Sequence, residues 1–210
     1  MAANRKDFAI WRIDVVAARS GDERSRARFD ADRSLRELLT IRDIGVWSHY
    51  VGDASQPLHT SIHFNGWGTS ANPDGFTTSP RTHATFESAF VNAHATLLDV
   101  RAAMTPLPKA KLPSAPIAQL VGDYLLATNA SVVPFYRLEK SGAFAHSTRE
   151  AIAFADMRLA AGASTLRDLV AAAYDASTTL AVGYPKGVTP AQAESGEVAV
   201  PNSVLGDAAE

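Results

Sequence analysis

Apolar residues recur along nearly the whole chain at the three- and four-residue spacing of an α-helix, and no stretch alternates convincingly enough to make a half-buried strand. Phe8, Ile10, Trp11, Ile13, Val15 and Val16 define a first helical segment, Phe8 to Ala18. Leu35, Leu38, Leu39, Ile44, Trp47 and Val51 give a second, from about Arg24 to Asp53, the apolar face it needs for packing. Pro57 stops that helix, because proline removes a donor and clashes with the preceding turn. Residues 60–79, rich in Asn, Gly and Pro, read as a long loop, and loops of such length are often functional. Ser79 and Pro80 supply the N-cap and first residue of a third helix, which runs to about Ala103. Pro106, Pro108, Pro113 and Pro116 mark a connector. A fourth helix covers about Ile117 to Ala130, with Pro134 near its end. Ser147 and Glu150 have the capping-box spacing that opens a fifth, to about Ala176. The expected fold is all-α, a multi-helix bundle with one helical domain over residues 1–182. Residues 183–210, Pro- and Gly-punctuated and polar, are expected to form a loosely ordered tail.

Composition narrows the class of protein. Of the 210 residues, 46% are hydrophobic and 20% charged, as in a globular chain rather than a disordered one. A net charge of −2 announces no nucleic-acid partner by bulk charge. Arg24, Arg26, Arg28 and Arg33 are interleaved with Asp22, Glu23, Asp30 and Asp32, which reads as a solvated helix face rather than a phosphate patch. No apolar run is long enough to span a membrane, and the polar start of the chain has no signal-peptide core. Without cysteine there are no disulfides, and any zinc must be held by His, Asp or Glu.

All six histidines lie at or after position 49, and four fall beside carboxylates between His49 and Glu87. His49 and Asp53 stand one helical turn apart on the second helix, and His83 and Glu87 repeat that spacing on the third. His59 follows the Pro57 break, where the chain can turn back on the helix it has left. A single His-x3-acid pair is ordinary on a helix surface. Two such pairs with a histidine between them supply nitrogen and oxygen ligands from neighbouring helices, as zinc requires. His49, Asp53, His59, His83 and Glu87 are therefore the expected metal residues. His59, His83 and Glu87 alone make up the three protein ligands of a catalytic zinc with one open position. His63 reads as a loop residue before a spare ligand, His94 as a structural histidine, and His146 as neither. Trp47 reads as core. Trp67, between two glycines, reads equally as a loop anchor and as a platform for a base or substrate.

The string from Ser48 to His59, S-H-Y-V-G-D-A-S-Q-P-L-H, resembles the signature of the superfamily that unites single-strand-specific zinc nucleases with bacterial zinc-dependent phospholipases C. The resemblance continues through His83-x3-Glu87. It implies an all-helical fold with up to three zinc ions. In it His49 and Asp53 would hold the first zinc, Asp53 would also bridge to the third as the catalytic carboxylate, and His59, His83 and Glu87 would hold the second. The implied activity is hydrolysis of phosphodiesters through zinc-activated water, on single-stranded nucleic acid or nucleotide phosphoesters, by a secreted or periplasmic parent. The chain departs from the family in having no histidine before His49 and none of the family's N-terminal ligands. It is thus expected to be an N-terminally incomplete member with one complete zinc site. Glu87 stands where the nuclease branch has Asp and matches the phospholipase choice, whereas the 60–82 insert is more nuclease-like. A phospholipase C-type hydrolase and a non-catalytic zinc-binding remnant are the competing expectations.

Overall fold

Helix is the regular structure of the chain in its computed structural model, which describes residues 2–20, 22–106, 117–183 and 186–200. Among these residues β-structure amounts to two isolated bridges, so the fold is all-α. No helix of the described residues is long and apolar enough to cross a membrane. Contacts gather into two units, Met1–Trp47 with Arg167–Glu210, and Ser48–Leu166.

The first unit contains α1 (Ala2–Ala17) and the larger part of α2 (Glu23–Ser55). Asp22 caps α2 by accepting the Ser25 amide at 2.8 Å, a hydrogen bond that holds its carboxyl below the usual carboxylate range. Ala9 and Ile13 of α1 pack with Val182, Val188 and Ala193. Of the segment after Val182, residues 183 and 186–200 are described, and several of them carry contacts of their own. Val182 and Val188 exchange backbone hydrogen bonds of 3.0 and 2.8 Å. Thr189 and Gln192 then form a complete capping box on the short helix α9 (Pro190–Ser195), which packs on α1. Val188, Pro190 and Ala193 are the residues of this polar stretch that bury. Residues 201–210 lie outside the described residues, as do 107–116 of the proline connector.

The second unit is built on aromatic packing. Phe86, Phe90, Phe135, Tyr136 and Phe154 are buried together with Leu58 and Phe76, and Phe86 sits 5.0 Å from Phe135 in an edge-to-face contact. These rings come from helices that differ from the expected ones, beginning with the third, which starts at Thr82 after Arg81 and not at Pro80 after Ser79. The third helix is not continuous to Ala103. A helical run passes through α3 (Thr82–Ala84), a π-helical turn (Thr85–Phe90) and α4 (Val91–His94). Thr96 then caps a new helix, α5 (Leu97–Ala103), by accepting the Asp99 amide at 3.2 Å. Past α6 (Ile117–Asn129), Pro134 does not follow a helix end but lies in the first turn of α7 (Val132–Lys140), where its missing N–H is no loss. The last long helix, α8 (Arg149–Ser177), is not capped by Ser147. Ser147 adopts the left-handed conformation (φ 50°) and meets His94 Nε2 at 2.9 Å, while Thr148 Oγ1 takes the Ala151 amide at 3.4 Å.

The 60–79 loop is ordered by its own residues. The rings of His63 and Trp67 stack with centroids 3.9 Å apart, and the Trp67 indole N–H donates to the Ala71 carbonyl at 2.9 Å. Trp67 also packs on Phe76 and Tyr136. Tyr136 donates to the His63 carbonyl and Lys140 to that of Asp74. Gly66 has φ 86°, and a Cβ there would come within 2.5 Å of the Thr78 carbonyl carbon, so the turn needs glycine.

Candidate metal centre

The end of α2 and the turn after it set the first ligand. Gln56 caps a 3-10 turn (Pro57–Thr60): its side-chain oxygen accepts the Leu58 amide at 3.0 Å, and Pro57 occupies the first position. Leu58 is fully buried in the aromatic core, which pins the turn and directs His59 back across the end of α2. The second element is the Thr82–His94 run. Burial of Phe86 and Phe90 fixes its inward face and leaves His83 and Glu87 one turn apart on the other. Glu87 lies within the π-helical turn, a local widening found frequently at functional sites.

These elements bring three ligand atoms together. His59 Nε2 lies 3.0 Å from His83 Nε2, His83 Nε2 2.5 Å from Glu87 Oε2, and His59 Nε2 3.5 Å from the same oxygen. Among the described residues this is the one group of three or more His, Asp or Glu side chains able to hold a metal ion. Ligand atoms about 2.1 Å from a tetrahedral zinc lie roughly 3.4 Å from each other. The observed triangle is slightly tighter than that, and small side-chain movements would open it. The tautomer also fits. His59 Nδ1 lies 3.2 Å from the Asp53 carbonyl oxygen, where it donates its proton, so Nε2 carries a free lone pair toward His83 and Glu87. Burial pushes the Glu87 carboxyl up, but hydrogen bonds from His83 and Gln56 and the nearby histidine rings more than offset it, leaving Glu87 below the usual carboxylate range. It is ready to act as an anionic ligand.

The five expected residues are therefore divided. His59, His83 and Glu87 converge. Asp53 stands behind them, with Oδ1 3.5 Å from His59 Nδ1 and Oδ2 3.3 Å from His49 Nε2. His49 is 71% exposed and meets the site only through Asp53. Gln56 is a residue of the candidate site that sequence reasoning left without a role: its side-chain N–H donates to Glu87 Oε2 at 3.3 Å. It stands inside the H-x3-D-x2-Q-P-L-H string, but a glutamine carries no metal-ligand signal. His63 is a loop residue stacked on Trp67, and His94 is held between Phe90 and Ser147. Trp67 is a loop anchor, with its faces occupied by His63 and the core. Trp47, expected in the core, is half-buried.

A cavity of about 350 Å³ opens beside the triad. Asp53, Gln56, His59 and Glu87 line it, together with apolar residues that include Phe86, Val91, Leu159 and Leu166.

In comparisons with known proteins, no family model matches the chain, and no curated protein or solved structure is significantly similar to it.

Proposed function

We propose that His59, His83 and Glu87 bind one zinc ion and that the chain is a zinc-dependent phosphoester hydrolase of the nuclease kind, with single-stranded nucleic acid as the substrate class. The observation that carries this reading is the convergence of three ligand atoms within 4.8 Å of one another, from two separate elements. The resemblance of the Ser48–His59 string supports it from the sequence side. Zinc bound there would polarise a phosphoryl oxygen and bring the pKa of a water molecule to about 7. The protein's own part is to orient and to hold charge. The Asp53 carbonyl keeps His59 in the ligating tautomer, and Gln56 keeps the Glu87 oxygen in place. Asp53, outside the triad, is the carboxylate available to take up a proton at Oδ2, the oxygen facing His49.

A second reading is a structural zinc without catalysis. It is favoured by the exposure of His49, which has Asp53 beside it and no third ligand among the described residues. Zinc per chain, measured by elemental analysis on untagged protein purified without added metal, tests the site. About one zinc is expected, and none in His83→Ala. Zinc-loaded protein is then assayed on single-stranded DNA and on a chromogenic phosphocholine ester. Turnover of DNA supports the nuclease reading, and turnover of the ester alone would move the substrate to phospholipid head groups. Bound zinc with neither activity would leave the structural reading.

A further inference from the structure

The cavity beside the triad combines features that metal binding alone does not require. Its lining includes the apolar residues Phe86, Val91, Leu159 and Leu166. Arg158 also lines it, half-buried. Its guanidinium donates to the Ser55 carbonyl at 3.0 Å, to Ser131 Oγ at 3.2 Å and to Thr128 Oγ1 at 3.2 Å, all neutral acceptors. Burial pulls the Arg158 pKa down, and Tyr124 offsets part of this. Asp53 and Glu87 line the same cavity, so its charge favours an added anion only once a cation occupies the triad, and Arg158 then contributes a second, half-buried positive charge. Three of the five guanidinium N–H donors are used, which leaves capacity for an oxyanion.

Gly52 adds an independent observation. It lies inside α2, where glycine costs about 1 kcal/mol relative to alanine. A Cβ at Gly52 would meet nothing within 4 Å, so neither packing nor a turn requires glycine there. What the missing side chain does is leave the cavity open.

We propose that this cavity is the subsite for an organic phosphate with an uncharged apolar substituent, its phosphoryl group lying between the triad and Arg158 and its substituent between Phe86, Val91, Leu159 and Leu166. The site thus selects a phosphoester by the apolar group it carries and uses Arg158 as a positioning residue for the anion. This rests on the zinc reading above, because the phosphoryl group is shared with the metal. A volume of about 350 Å³ accommodates a single aromatic ring or a short alkyl chain, so of a longer substrate it takes one such group.

Titration calorimetry of the zinc-loaded chain with phenylphosphonate, methylphosphonate and inorganic phosphate tests the proposal. Phenylphosphonate should bind about tenfold more tightly than methylphosphonate, as burial of one ring predicts. Gly52→Leu fills open space in a helix and should keep its zinc while losing the preference for the phenyl group. Arg158→Gln should weaken all three anions, and Gly52→Leu keeps the test open if that variant does not fold. Wild type that binds no zinc would overturn the metal reading and this proposal with it. Wild type that binds zinc but takes the three anions equally, or Gly52→Leu that keeps the phenyl preference, would overturn the subsite alone.

Discussion

The Nε2 atoms of His59 and His83 face each other at 3.0 Å. With His59 Nδ1 donating to the Asp53 carbonyl, the His59 Nε2 is a lone pair, while the His83 Nε2–H is directed at Glu87 Oε2 2.5 Å away. A metal ion would take the place of that proton and be held by all three atoms, its charge neutralised in part by Glu87. Metal should therefore stabilise the fold, by about 2.7 kcal/mol when free zinc exceeds its Kd a hundredfold. Thermal unfolding with zinc and with EDTA should differ by several degrees in wild type and not in His83→Ala. Superimposable wild-type curves would mean that no ion is held there.

Gln56 works at two places, and the two can be separated. Its oxygen caps the 3-10 turn and its N–H holds Glu87. Gln56→Ala should lose about 1 kcal/mol in urea unfolding, as capping residues do. Zinc affinity should fall about tenfold to a hundredfold, the usual effect of removing a group that orients a ligand. If stability falls while zinc affinity is unchanged, Gln56 is a cap and nothing more.

The helical class and the side chains that converge were legible in the sequence for related reasons. Spacing of apolar residues reports a face, and His-x3-acid spacing reports two ligands on one face. Neither reports what covers that face. Leu35 and Leu38 of the α2 stripe are 57% and 68% exposed, although their spacing predicts burial. For the same reason His49 and Asp53 looked equivalent to His83 and Glu87, while convergence with His59 depended on where Leu58 is buried. The break at Thr96, where a polar side chain caps a new helix, and the start of α7 at Val132, which has no side-chain cap, both depend on the tertiary setting. Arg158 could not be found at all. Its importance comes from burial beside a cavity, which no spacing encodes.

Asp14 of α1 should make the stability of the protein depend on pH. It is 1% exposed, and among the described residues neither carboxyl oxygen has a hydrogen-bond partner. Burial raises its pKa from 3.8 to about 7, Asp32 adds to the rise, and Arg36 and Arg28 oppose it. Below the unfolded value the group is protonated in both states and costs nothing. As pH rises from about 4 to 7 the unfolded chain releases the proton and the folded chain retains it, so stability falls across that window. Above pH 7 the loss is complete, on the order of 3–4 kcal/mol. Asp14→Asn should flatten the slope and be the more stable protein at pH 8. Equal slopes in urea titrations at pH 5 and pH 8 would show that Asp14 finds a partner in solution.

Glu194 of α9 meets Arg12 of α1 through two hydrogen bonds of 2.6 Å, to Nε and to Nη2. Arg12 is 8% exposed and also donates to Ser177 and Thr178, so it cannot turn to water when its carboxylate is removed. Glu194 is 39% exposed, which moderates the loss. Glu194→Ala should cost about 1–3 kcal/mol, more than a surface pair and less than a fully buried one. Glu194→Gln keeps the shape and an acceptor oxygen and should cost less. The loss should fall first on α9, because its other attachments are the hydrogen bond from the Ala191 amide to the Thr178 carbonyl, buried Pro190 and the small apolar contacts of Val188 and Ala193. Hydrogen exchange at the Ala193 and Val198 amides should therefore quicken before the α1 core opens. If these amides exchange at the wild-type rate in Glu194→Ala, α9 is held by its apolar contacts and the ion pair is incidental.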